Sequence, residues 1–379
     1  MPTKSQLKNI EGGCWRGYER VPGTIEFSKG SCRKIGRAAP KSSRRRKLRG
    51  GSLRRSKSRR RRRSKSCTPG ANKKFAKLVN NKCIRFGDPN MTIKKNITLQ
   101  DVINSKKLKD LEYDNELRQL IKFDADENVY KLCGNKIIYH HQFENIIKTP
   151  AYKHKSFHEF MTDLELKQNM INETVKRKGN VTPINMFETY RANKNCVTIF
   201  RPSTAKYIYK YYGAKHVLDF TAGWGGRMLG AYSLGISYTG IDSNINMKPE
   251  YDIMMTKLNK DNLKMLWDNC LNIDLSLYDF DLVLTSPPYI NLEKYEHMTP
   301  FDNDDTYYKE FLIIMLNRCL EHIKQNGWVC INISIAMYDK LTKKYGYREC
   351  DEKHILPNRK NKQNPNKCEY IYCWKSSIT

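Results

Sequence analysis

At 379 residues the chain is long enough for one large domain or two ordinary ones, and its 39% hydrophobic and 11% aromatic content can build a packed core. The net charge of +30 is unevenly spread: residues 1–74 hold 25 Lys and Arg against three Glu, which leaves +8 for the other 305. No apolar run reaches the roughly 18 residues of a membrane span, the amino terminus lacks a signal-peptide core, and the twelve cysteines include no C-x-x-C pair. A membrane anchor, secretion, a zinc ribbon and a disulfide framework are therefore not expected.

The first region, 1–95, reads as a disordered basic tail. Between Lys41 and Lys65, 15 of 25 residues are Lys or Arg and none is acidic. Self-repulsion and the lack of apolar residues forbid a core there. The natural partner of such a run is a polyanion, DNA first and RNA as an open alternative, bound by neutralising phosphates and releasing counterions. A localisation signal or a solubilising charge run are the plainer readings. Two short motifs flank it, Cys14-Trp15-Arg16-Gly17-Tyr18 with Ser28-Lys29-Gly30-Ser31-Cys32, and Cys83-Ile84-Arg85-Phe86-Gly87-Asp88. They resemble modules at the ends of proteins from large DNA viruses, which implies a viral origin. The unpaired cysteine spacing suits reduced thiols in a cytoplasmic or nuclear compartment, that of the host if the origin is viral, with virion association open.

The second region, 96–198, is expected to be mainly helical. Thr98 is a candidate N-cap for a segment beginning at Asp101-Val102-Ile103. From Phe157 to Arg177, apolar residues recur near helical spacing (Phe157, Phe160, Met161, Leu164, Leu166, Met170, Ile171, Val175), and Gly179 ends the run. The region serves either as a helical cap on the α/β segment after it or as the part that handles DNA.

From about 199 the rhythm becomes strand, helix, strand. Strands are expected at His216–Asp219, 238–242, 280–285 and Trp328–Ile333, with helices at 205–211, 227–234 and 307–323. The aromatic and β-branched run Glu369-Tyr370-Ile371-Tyr372-Cys373-Trp374 suggests a terminal strand, in a hairpin with the stretch near 353–356. Such alternation argues for an α/β fold, a mostly parallel sheet with an antiparallel terminal strand, whose ligands sit at the strands' carboxyl ends. Cys270, Cys319 and Cys330 fall in apolar settings and read as small core residues.

Two motifs carry the chemistry. After the first strand come Asp219, Phe220, Gly223, Gly225 and Gly226. Glycines there let backbone approach a ligand that helix N-terminal amides then face. Asp242 follows 23 residues later, at the end of the next strand, where it can accept hydrogen bonds from a ribose diol. That pair suits either an adenosine-containing methyl donor or a nicotinamide cofactor. The second motif, Leu282-Val283-Leu284-Thr285-Ser286-Pro287-Pro288-Tyr289, runs a strand into a diproline, which has no donors to continue a sheet and forms a rigid lip.

In this order the motifs resemble the S-adenosylmethionine-dependent DNA amino-methyltransferases. Asp219-Phe220-Thr221-Ala222-Gly223-Trp224-Gly225 looks like a variant of the family's Asp-x-Phe-x-Gly motif, and Ser286-Pro287-Pro288-Tyr289 matches its [Asp/Asn/Ser]-Pro-Pro-aromatic motif. The resemblance covers about 199–374 and implies a Rossmann-like methyltransferase sheet with S-adenosylmethionine as cofactor. It implies adenine contact by Asp268 and proximity of Arg201 to the methionine carboxylate. It implies that the Ser286 side chain and the Pro287 carbonyl accept hydrogens from an exocyclic amine, with Tyr289 stacked on the base. Ser-Pro-Pro-Tyr leans toward cytosine N4 over adenine N6, and the absence of a Pro-Cys pair speaks against carbon-5 chemistry. The Trp224-Gly225-Gly226-Arg227 run departs from the family's glycine pattern. Two alternatives stay open: an RNA or protein (glutamine) amino-methyltransferase, and a catalytically silent nucleic-acid-packaging protein. No metal site is expected.

Overall fold

The computed structural model describes residues 97–124, 132–151, 154–193, 197–259, 261–289, 301, 303–356 and 369–376, together with the backbone of six short strands between Ile10 and Arg85. The chain clusters as two units, Met1–Ser64 and Lys65–Thr379. In the first unit Ile10–Glu11 pairs with Cys14–Trp15, and Tyr18–Arg20 pairs with Cys32–Lys34, both antiparallel. In the second, Phe75–Val79 pairs with Lys82–Arg85. These ladders fall within the stretch expected to be a structureless tail. Gly12-Gly13 and Asn80-Asn81, which separate two of the pairs in sequence, are two-residue hairpin signals that a reading by charge passes over. The arginine run from 41 to 65 lies outside the described residues.

Seven strands form the main sheet: β1 His216–Asp219, β2 Ser237–Asp242, β3 Leu263–Trp267, β4 Leu282–Thr285, β5 Trp328–Ile333, β6 Glu352–Leu356 and β7 Glu369–Lys375. Their order is β6-β7-β5-β4-β1-β2-β3. All pairings from β5 to β3 are parallel, and β7 runs antiparallel to both neighbours. This is the Rossmann-like, mostly parallel sheet with an antiparallel terminal strand expected from the sequence, with the terminal hairpin beside β5. The order reverses between β1 and β4, which opens a crevice at their carboxyl ends, where open α/β sheets bind ligands.

The strands alternate between two cores, as a sheet covered on both faces requires. Val217, Tyr238, Leu282, Leu284, Cys330 and Cys373 face one; Leu218, Ile241, Val283, Val329, Ile331 and Trp374 face the other. The first face is covered by α7 Pro202–Tyr212, α8 Gly226–Tyr232 and α9 Lys248–Leu258, the second chiefly by α11 Ile313–His322. α11 continues from α10 Asp304–Tyr307 through a π turn at 308–312. That wider turn keeps Tyr307, Tyr308, Phe311 and Leu312 all buried. Cys270, Cys319 and Cys330 are buried free thiols.

The preceding region is helical: α1 Leu99–Asn104, α2 Asp110–Lys122, α3 Asn135–Lys148, α4 Phe157–Thr162, α5 Leu164–Lys178 and α6 Pro183–Asn193. Thr98 caps α1, sharing a capping box with Asp101. The single helix expected from Phe157 to Arg177 is two. Asp163 leaves the helical conformation and caps α5 by accepting from the Leu166 N–H at 3.0 Å. Leu164, counted in the apolar stripe, is 85% exposed as a result. Gly179, at φ 78°, ends α5 as expected. Phe143, Phe157, Phe187 and Tyr190 build a core private to these helices, whereas Tyr113 and Leu120 of α2 join the first core of the sheet. Lys206 on α7 ties the two together, donating to the Leu120 and Ile121 carbonyls at 2.9 and 2.8 Å and so capping the end of α2. Among the described residues no helix is long and apolar enough to cross a membrane.

Candidate active site

A cavity of about 500 Å³ opens at the carboxyl edge of the sheet. It is lined by Arg201, Phe220, Gly223, Asp242, Asp268, Ser286, Pro288 and Tyr289, so eight of the eleven residues singled out from sequence share one space. Asp219, Gly225 and Pro287 are not among the lining residues.

Asp219 lies beneath the floor. It is fully buried, and its carboxylate accepts from Arg227 Nε at 2.6 Å, Tyr238 Oη at 2.6 Å and Thr285 Oγ1 at 2.8 Å. With its one proton given to Asp219, the Thr285 hydroxyl accepts from Thr221 Oγ1. Arg227 also donates to the Thr221 carbonyl, and its guanidinium lies 5.0 Å from the Phe200 ring centre. This knot joins the turn after β1 to the residue just before Ser286. Asp219 is thus an anchor of both motifs, and its partner Arg227 belongs to the run that departs from the family pattern. Cutting one partner from a buried ion pair typically costs about 3–5 kcal/mol.

The turn after β1 is shaped by close backbone approach. Gly225 sits at φ 86° as the N-cap of α8. A Cβ on Gly226 would meet the Phe200 carbonyl oxygen at 1.9 Å, so only glycine lets α8 start against the chain entering α7. Trp224 is buried in the first core and also lines the cavity.

Asp242, at the end of β2, accepts from the Gly223 N–H at 2.7 Å and the Asn244 N–H at 2.9 Å. Burial raises its carboxyl to a pKa of about 6 against those two hydrogen bonds. Each oxygen keeps acceptor capacity toward the cavity, as a vicinal diol requires. Asp268 follows β3, and its Oδ1 accepts from the Asn269 N–H and from Asn272 Nδ2. The segment beyond it is held from behind by Arg318 of α11, which donates to the carbonyls of Leu271, at 2.9 Å, and Ile273.

At the other end, Ser286 Oγ reaches Asn332 Oδ1 at 3.4 Å, while Asn332 Nδ2 donates to the Tyr370 carbonyl at 3.0 Å. The second bond fixes which way the amide points. Both Asn332 oxygens near Ser286 are acceptors, so a hydrogen bond formed there uses the serine proton and leaves the hydroxyl lone pairs as acceptors. Phe301 and Phe311 form an aromatic wall beside Tyr289. Asn332, Phe311, Leu356, Glu369 and Arg191 line the cavity without having been expected from the sequence. For Asn332, its place at the end of a predicted strand was the available signal. Most of the loop from 291 to 305 lies outside the described residues.

No protein-family model matches the chain, and no curated protein matches it either. Many solved structures do. TrmN of Thermus thermophilus is 13% identical with a TM-score of 0.33, over 46% of this chain and 49% of that one. An RNA methyltransferase of Salinibacter ruber in complex with S-adenosyl-L-homocysteine is 11% identical with a TM-score of 0.33, over 48% and 97%. Magnesium protoporphyrin IX methyltransferase of Synechocystis PCC 6803, with bound S-adenosylmethionine, is 12% identical with a TM-score of 0.31, over 46% and 79%. The chain thus spans about half the length of TrmN. The likeness is partial. Fold and site stand on the strand order and cavity geometry given above.

Proposed function

We propose that the chain is an S-adenosylmethionine-dependent methyltransferase acting on an exocyclic amine of a DNA base, cytosine N4 in preference to adenine N6. One observation carries the reading: a single cavity is lined by the Asp242 carboxylate and by Ser286, Pro288 and Tyr289 of the diproline lip. The residues fit the cofactor, because Asp242 has acceptor capacity for a ribose, the backbone at Gly223 leaves room beside it, and Arg201 offers a cation for a carboxylate. When bound, the cofactor supplies an electrophilic methyl group on a sulfonium.

The protein's own part is positioning and electrostatics more than strong base chemistry. The amine of cytosine or adenine is conjugated with its ring and is a weak nucleophile. Acceptors at Ser286 Oγ, which lines the cavity, and at the Pro287 carbonyl, assigned by the resemblance alone, would take the amine hydrogens and favour its pyramidalisation. Tyr289, Phe301 and Phe311 offer faces and edges for a planar ring. A base in a duplex has to be flipped out to enter such a cavity. The Lys/Arg run from 41 to 65 would hold the polymer through its phosphates, positioning the enzyme without reading sequence.

The test is transfer of labelled methyl to unmethylated duplex DNA, followed by digestion to nucleosides. Label in N4-methyldeoxycytidine is the expected result, and label in N6-methyldeoxyadenosine would keep the class while changing the base. Label only on RNA or protein in parallel reactions would overturn the DNA reading.

A further inference from the structure

Three carboxylates line the cavity: Asp242, Asp268 and Glu369. The first two hold local backbone or side-chain N–H groups. The Glu369 carboxylate has no hydrogen bond or ion pair among the described residues. It reaches the site because β7 is antiparallel, so that the first residue of this strand lies at the carboxyl edge of the parallel ones. There it is opposite Leu356, and its neighbour Tyr370 is opposite Ile333. Asn332, which orients Ser286, donates to the carbonyl of that same Tyr370. Glu369 is therefore linked through two residues, Tyr370 and Asn332, to the lip that would hold the amine.

Resting on the reading of a nucleobase amine as acceptor, we propose that Glu369 in its acid form recognises the target base by donating its O–H to the ring nitrogen beside that amine. In cytosine this is N3 and in adenine N1, each an acceptor once the base has left its pair. A carboxylate presents only acceptors and would face that nitrogen's lone pair unfavourably, whereas a carboxylic acid supplies the missing donor. The amine hydrogens are left for Ser286 and Pro287.

The surroundings favour the acid form. Glu369 is exposed at the edge of the cavity, and desolvation by the protein on its other sides raises its carboxyl above the ordinary range, opposed by Arg201 at the start of α7. Of the neighbouring elements, β6 brings Lys353, which lies over the Tyr370 ring at 5.7 Å, and β5 brings the neutral Asn332. A bound ring nitrogen adds a further preference for the protonated group.

Two substitutions and one altered base test this on the full chain with duplex DNA. Glu369→Gln keeps a donor at the same place and should retain kcat/KM within about threefold, whereas Glu369→Ala should lose about tenfold to a hundredfold, the size of one specific base contact. Unchanged S-adenosylhomocysteine affinity in both variants shows that the fold is intact. DNA carrying 3-deazacytosine (1-deazaadenine if adenine is the target) lacks the acceptor nitrogen. On it the wild type should fall to the level of Glu369→Ala, and the variant should lose nothing more. A Gln variant as impaired as the Ala variant, or losses from residue and base that multiply, would overturn the assignment. An Ala variant as active as wild type on ordinary DNA removes this inference alone. A wild type that labels no DNA removes it together with the function on which it rests.

Discussion

Asp242 is the residue whose chemistry can be most directly titrated. Its carboxyl, raised to about 6 by burial, returns to the ordinary carboxylate range when the chain unfolds. A raised acid binds its proton more tightly in the folded state, so acidification from pH 6 toward 4 favours the ligand-free fold as far as this group is concerned. A ligand diol donating to Asp242 needs the opposite, the ionised form. Affinity for S-adenosylhomocysteine should therefore be flat above pH 7 and fall by up to about tenfold per pH unit below 6. Asp242→Asn should weaken binding at pH 7 and remove most of that dependence. Calorimetric titration across pH 5–8 checks both, and an affinity that does not change on acidification would mean that Asp242 does not hold the ligand.

Among the elements, the start of α8 is the most tightly constrained. Gly226 packs against the Phe200 carbonyl with no room for a methyl group, and Arg227 follows directly with its ion pair to Asp219. Gly226→Ala should push α8 away from the chain entering α7, destabilise the protein by about 1–3 kcal/mol and lower cofactor-product affinity with it. Thermal unfolding and ligand titration on one preparation would test this, and a variant with unchanged melting and affinity would show that the approach is looser. Elements with strong local signals were legible from sequence: the strand into Ser-Pro-Pro-Tyr, the Thr98 cap and the stop at Gly179. The break between α4 and α5 was not. Asp163 lies in an otherwise helical pattern, and periodicity alone cannot distinguish a mid-helix aspartate from one that caps a new helix.

For the whole molecule, charge separates from fold. The sequence from 75 to the end carries only +8, and the surplus lies in the first 74 residues. If the basic segment neutralises phosphates, removing residues 1–95 should weaken DNA binding and flatten the salt dependence of log K by about 0.9 for each phosphate that the segment had neutralised. Cofactor-product binding should be unchanged, since among the described residues none before Arg191 lines the cavity. Filter binding at several salt concentrations decides it, and an equal slope in the truncated chain would place the phosphate-binding cations elsewhere.

The sequence by itself determined the alternation of strands and helices, the two motifs and their order, because each rests on local chemistry: glycines in a turn, prolines after a strand, an acid at a strand end. Only the tertiary structure decided which of those residues face the cavity. Asp219 turned from an expected ligand contact into a buried anchor because Arg227, Tyr238 and Thr285, distant in sequence, all converge on it. Asn332 and Glu369 entered the site because β5 ends there and antiparallel β7 begins there. Strand direction and sheet order are set by pairing across long separations, and no short pattern of residues encodes them.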